Sequence, residues 1–181
     1  MIALKGVGKM TKFEVLVQDI TTIKADIIVN AANELLLGGG GVDGAIHRAA
    51  GKELLEECKT LNGCYPGDAK VTKAYKLPAK YIIHTVGPRY YMLDEQTAAE
   101  KLASCYHKSI DLAVELQAKS IVFPAISCGV FAYPPADAAE IAVKTIAKHP
   151  EIDKIDRVIF SVVDERMAEI YRRELQKQNF Y

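Results

Sequence analysis

Four consecutive glycines, Gly38 to Gly41, stand between an apolar segment, Asp26-Ile27-Ile28-Val29, and a helical pattern that opens at Gly44. A strand that passes through a glycine loop into a helix restricts the chain to folds in which strands and helices alternate. Glycine has no Cβ, so backbone N–H groups in such a run can crowd around an anion. The start of the following helix adds its positive end to the same spot. Two asparagines, Asn30 and Asn33, precede the glycines, and Asp43 follows them. The stretch reads as a cradle for a phosphate-bearing ligand with a carboxylate beside it.

The remaining pattern continues the alternation. Strands are expected at Phe13 to Val17, Ile27 to Val29, Ala69 to Ala74, Tyr81 to Val86, Ser120 to Phe123 and Arg157 to Val163. Helices are expected over residues 44–58 and 96–116, from Pro134 or Pro135 to Lys148, and from Glu165 to Gln178. Proline suits the first turn of the third of these, where its missing N–H is not needed. The expected fold class is α/β, one domain over residues 1–181 with a mixed sheet between helices. The N-terminal strand is expected to pair antiparallel at an edge, and Gly87 to Gln96 to form the longest surface loop.

Composition narrows the function classes. Lys plus Arg and Asp plus Glu both number 23, so the formal net charge is zero. That balance, with no basic stripe interleaved with aromatics, makes nucleic acid an unexpected partner. No apolar run approaches the roughly 18 residues that span a bilayer. The first twelve residues, MIALKGVGKMTK, hold no apolar core of secretory length, so a cytoplasmic location is expected and no membrane partner. Cys58, Cys64, Cys105 and Cys128 form no C-x-x-C pair and are read as reduced thiols, with no metal site. His84 reads as a satisfied core histidine, and His107 and His149 as surface or helix-end residues without metal partners at useful spacing.

In open α/β sheets ligands bind outside the carboxyl ends of the strands. Two loops qualify: Asn30 to Asp43, and Ala125 to Tyr133, which reads AISCGVFAY. Facing each other, they can clamp a pyrophosphate. Neither matches the P-loop or the G-x-G-x-x-G spacing, and no G-x-S-x-G elbow is present to make Ser127 an acyl-enzyme serine.

The block NAAN…GGGGVDGAIHRAAG resembles the first ligand loop of the macro domain family, and within it the MacroD-type hydrolases. Asp19-Ile20-Thr21, the segment LPAKYIIHTVGP from Leu77 to Pro88, and FPAISCGVF from Phe123 to Phe131 agree in order. The resemblance covers about residues 13–175. It implies a three-layer α/β/α macro domain with a central mixed sheet that binds ADP-ribose and needs no cofactor. By the same resemblance Asp19 accepts from the adenine amino group, with Ile20 nearby and Val163 against the ring. Gly39, Gly40, Gly41 and Val42, with Ser127, Cys128, Gly129, Val130 and Phe131, hold the diphosphate, and Phe131 packs against the distal ribose. Asn33 orients that sugar. Asp43, Asn33 and His47 form the catalytic set, with Asp43 activating water or ordering the ribose.

The activity this implies is removal of mono-ADP-ribose from acidic protein side chains, deacetylation of O-acetyl-ADP-ribose, or both. The alternative is an ADP-ribose reader without turnover. Two plainer roles stand beside these: Asp43 as a helix N-cap, and Asn30 as a turn residue that pins the loop. The chain departs from the family pattern at Gln18, Pro66, Ala74, Cys128 and Ala132, where glycine or threonine is usual.

Overall fold

The computed structural model describes residues 10–180. The first nine residues, part of the stretch where no secretory signal is expected, lie outside the described residues. The strands are β1 (Lys12–Val17), β2 (Ile27–Ala31), β3 (Ala69–Lys73), β4 (Tyr81–Thr85), β5 (Ser120–Phe123) and β6 (Arg157–Val162). The helices are α1 (Gly41–Ala50), α2 (Lys52–Lys59), α3 (Glu95–Glu115), α4 (Pro135–Ala147) and α5 (Glu165–Lys177).

The strands form one sheet in the order β1-β6-β5-β2-β4-β3. Every neighbouring pair is parallel except β3 with β4. The sheet is therefore mixed, as expected, but the antiparallel edge is β3. β1 is an edge strand that runs parallel to β6, which corrects the pairing expected for it. Its partner strand is the last in the chain and 145 residues from Phe13, with Phe13 opposite Val158. Local pattern carries no information about so distant a pairing.

Side chains alternate across the sheet with period two. Ile27, Val29, Ile83, Ile121, Phe123, Val158 and Phe160 join α3, α4 and α5 in one core. Ile28, Ile82, Val122 and Ile159 face the other way and pack with Ile46, Ala50, Leu54 and Cys58 of α1 and α2. Two cores on opposite faces make the three-layer α/β/α fold. Each fully buried large apolar side chain stabilises it by roughly 1.5–3 kcal/mol.

The single helix expected over 44–58 is two. Gly51, at φ +96°, closes α1 with its N–H on the His47 carbonyl and opens α2. A left-handed residue cannot continue a helix, so the chain turns there. Asp94 and Asp164 cap α3 and α5 by accepting from Thr97 N and Met167 N. No helix among the described residues is long and apolar enough to cross a membrane.

Candidate active site

Because β1, β6, β5, β2 and β4 all point the same way, their carboxyl ends share one edge of the sheet. The loops leaving that edge carry Asp19 after β1, Val163 after β6, the 125–133 loop after β5 and the glycine loop after β2. Two adjoining cavities lie beneath them. One, of about 480 Å³, is walled by Gln18, Asp19, Ile20, Ser161, Val162 and Val163. The other, of about 380 Å³, is walled by Asn33, Gly39, Asp43, Gly87, Ser127 and Phe131, among others. Both include Gly41, Val42 and Pro124, so they join end to end into one cleft.

The glycines of the first loop serve separate purposes. Gly38 and Gly41 sit at φ +91° and +57°, which side chains rarely adopt. A Cβ on Gly39 would fall 3.1 Å from Asp43 Oδ2 and 3.3 Å from the Asn33 amide nitrogen. Gly39 thus leaves room for both polar groups to flank it. Gly40 is the N-cap of α1 and carries no capping side chain. None of the backbone N–H groups of residues 39–43 donates to an acceptor among the described residues, so all are free to face an anion.

Asp43 is 6% exposed and lies in the first turn of α1. Its Oδ1 accepts from Asn30 Nδ2 at 2.9 Å and lies 3.4 Å from His47 Nε2. The His47 contact has the reach of an ion pair but not the alignment of a hydrogen bond. Asp43 is not the N-cap. Asn33 donates to Gly38 O at 3.1 Å and accepts from Leu35 N at 3.2 Å, which ties it into the loop while leaving one amide proton over.

Across the cleft, Ser127 is buried and donates to Pro88 O at 2.8 Å. The N–H groups of Gly129, Val130 and Phe131 have no acceptor among the described residues. Phe131 lies under Arg89, whose guanidinium carbon is 4.7 Å from the ring centroid. Arg89 also pairs in bidentate fashion with Glu34 and holds that carboxyl below the ordinary range. Arg89 thus bridges the two loops, pairing with Glu34 of the first and stacking on Phe131 of the second. Asp19, at the other end, accepts at Oδ1 from Thr21 N and Thr21 Oγ1, while its Oδ2 has no partner among the described residues.

The profile of the Macro domain matches residues 29–142, which hold both loops. The chain belongs to the macro domain family. It is 56% identical to a macro domain-containing protein of Mesorhizobium japonicum over 86% of this chain and 88% of that one. It is 51% identical to the ADP-ribose glycohydrolase MACROD1 of Mus musculus over 87% of this chain, and it spans about half, 49%, of that longer protein. The Oceanobacillus iheyensis macrodomain solved with ADP superposes with a TM-score of 0.90 at 38% identity, covering 97% of this chain and 96% of that one. A Trypanosoma brucei macrodomain in complex with ADP-ribose gives 0.80 at 39% identity, covering 89% and 68%.

Within this macro domain the cleft brings together the expected residues with two exceptions. His47 lines neither cavity, although its Nε2 stands 3.4 Å from Asp43 Oδ1. Cys128 is absent from the cavity wall. Its N–H reaches Ala125 O at 3.3 Å and its thiol packs toward the α3–α5 core, where burial pushes its pKa up to about 12. It is a packing residue, held as the neutral thiol. Asn30 is not a turn residue. It is fully buried in β2 and holds Asp43. Gly87 also differs from expectation: it is buried beneath the second loop, where a Cβ would lie 2.1 Å from Ser127 Oγ. Neither role was legible locally, because the partners are 13 and 40 residues away.

His149 also departs from the surface role expected of it. It is 4% exposed, and with His107 and Asp111 it forms a group whose ligand atoms lie within 4.8 Å of one another. Spacing hid this group because α3 and the end of α4 meet only in the fold. His149 Nδ1 accepts from Glu151 N at 3.0 Å, so Nε2 carries the proton and donates to Asp111 Oδ1 at 2.6 Å. That tautomer leaves Nε2 no lone pair for a metal, and the group ties α3 to the end of α4 instead.

Ala132 holds φ +61°, the left-handed region, where the family pattern has glycine. Left-handed backbone costs a residue with a Cβ about 1–2 kcal/mol, partly offset by glycine's greater freedom when unfolded. Ala132→Gly is expected to raise the melting temperature by about 1–4 °C in a thermal unfolding scan. An unchanged or lowered value would refute the strain.

Proposed function

We propose that this macro domain is an ADP-ribose-binding hydrolase that releases mono-ADP-ribose from acidic protein side chains, deacetylates O-acetyl-ADP-ribose, or does both. The observation that carries the reading is the buried, oriented Asp43 carboxylate beside Asn33, in the same cleft as two sets of unspent backbone amides. A reader needs the amides but not the acid. The relation to ADP-ribose glycohydrolases and to macrodomains solved with ADP and ADP-ribose supports it.

In this reading the adenine lies in the cavity of Asp19, Ile20 and Val163. The diphosphate takes the amides of residues 39–43 and 129–131. The distal ribose rests by Asn33, Asp43 and Phe131. Water held at Asp43 attacks the anomeric carbon, the bond to the ester oxygen breaks, and the carboxylate leaves with the electron pair. The water's proton passes to Asp43 or to a substrate phosphate oxygen. For the acetyl ester, water gives a proton to Asp43 as its oxygen adds to the carbonyl carbon; the bond from that carbon to the ribose oxygen then breaks, the ribose alkoxide takes up a proton to become the hydroxyl, and acetate is released.

Turnover of O-acetyl-ADP-ribose and of a peptide mono-ADP-ribosylated on glutamate is the test. Release of ADP-ribose or acetate is expected from at least one. Tight ADP-ribose binding by calorimetry with no turnover of either would overturn the reading in favour of a reader.

A further inference from the structure

Asp43 is supported from behind by buried polar side chains on three strands. Thr72 in β3, His84 in β4 and Asn30 in β2 are each no more than 1% exposed. Thr72 Oγ1 donates to the Lys73 carbonyl at 3.0 Å. A hydroxyl has one proton, so toward His84 Nε2, 2.9 Å away, the same oxygen accepts. Nε2 therefore carries the ring proton. Burial pushes the His84 pKa down to about 3, so the ring is neutral and holds no second proton. Nδ1 is then a bare lone pair, and the group 3.1 Å from it must donate.

That group is Asn30 Nδ2, whose other proton goes to Asp43 Oδ1 at 2.9 Å. The direction of the chain is thus set at the Lys73 carbonyl and ends on the carboxylate. Cys58 Sγ lies 3.9 Å from His84 Nε2, well beyond Thr72 Oγ1, and as a thiol kept neutral by burial it is only a weak partner. The arrangement leaves Asn30 Oδ1 buried without a partner among the described residues. A core strand position would avoid that cost with an apolar residue.

We infer that Asn30 and His84 are positioning residues for Asp43: they hold Oδ1 in one orientation and leave Oδ2, beside Gly39, for the reacting water. The inference rests on the hydrolase reading. The unmodified protein is compared with Asn30→Ala, His84→Leu and His84→Asn, the last offering an amide oxygen near the place of Nδ1. Each is assayed for kcat and KM on O-acetyl-ADP-ribose and the ADP-ribosylated peptide, for ADP-ribose Kd, and for melting.

Asn30→Ala and His84→Leu are expected to lose at least about tenfold in kcat, with KM and Kd within about threefold. His84→Asn is expected to recover part of that loss. A folded Asn30→Ala with unchanged kcat, a loss confined to KM, or a His84→Asn no better than His84→Leu overturns the inference. Should the variants not fold, ¹⁵N NMR of the unmodified protein decides: a proton on His84 Nε2 is required, and one on Nδ1 overturns the chain. An unmodified protein inactive on both substrates would sink the hydrolase reading instead, and the ring tautomer would still report on the chain.

Discussion

Asp43→Ala is expected to lower kcat on the hydrolysed ester by about 10²–10⁴-fold, the range general acid–base groups supply, while ADP-ribose affinity stays within about threefold. The split follows from where the binding groups sit. In the proposed reading the diphosphate contacts are backbone amides of residues 39–43 and 129–131, and a side-chain truncation at 43 removes none of them. In the same reading the adenine end takes Asp19, which lines the other cavity. Asp43→Asn sharpens the test, since its oxygen can still accept from Asn30 and the packing is kept. If the loss comes from the missing charge, the two variants fall together. Turnover unchanged in either folded variant would remove Asp43 from the chemistry.

Gly44→Ala should damage the cleft through its backbone. A Cβ there would lie 2.5 Å from the Gly39 carbonyl oxygen and 3.1 Å from Arg48 Nη1. Arg48 is exposed and can swing away, but the carbonyl is backbone and cannot. Either α1 retreats or the glycine loop shifts, and both move the amides and Asp43 relative to one another. Overpacking of this kind costs about 1–3 kcal/mol, or roughly 2–12 °C in melting temperature for a chain of this size. ADP-ribose Kd is expected to weaken on the order of tenfold, equal to about 1.4 kcal/mol. Gly40→Ala is the control for stability: nothing lies within 4 Å of its Cβ and its φ of −95° suits any residue. Its melting should match the parent. Gly44→Ala that melts and binds like the parent would show that helix and loop are not coupled.

The sequence carried the element order, the fold class and the two ligand loops, because hydrophobic period and glycine placement are local signals. It carried Asp43 and Asn33 because they belong to a contiguous block. It did not carry the supports. Asn30 looks like a loop residue until β2 is seen to run through Ala31, and His84 looks like filler until β3 brings Thr72 alongside it. The parallel pairing of β1 with β6 and the meeting of His107, Asp111 and His149 likewise depend on contacts between distant segments. The break at Gly51 was local but hidden, since apolar spacing continues across it and only the positive φ shows the turn.

The order of strands has a metrical consequence. Asp19 follows β1 and Asp43 follows the glycine loop after β2, and in the sheet these strands are separated by β6 and β5. Parallel neighbours lie about 4.8 Å apart, so the carboxyl ends of β1 and β2, from which the two acids' segments depart, are set about 14 Å apart. A ligand that fills both cavities would lie across the strands, its length gauged in strand widths. A mononucleotide reaches one acid or the other. A dinucleotide-sized molecule, with a sugar at each end of a diphosphate, is long enough to meet both.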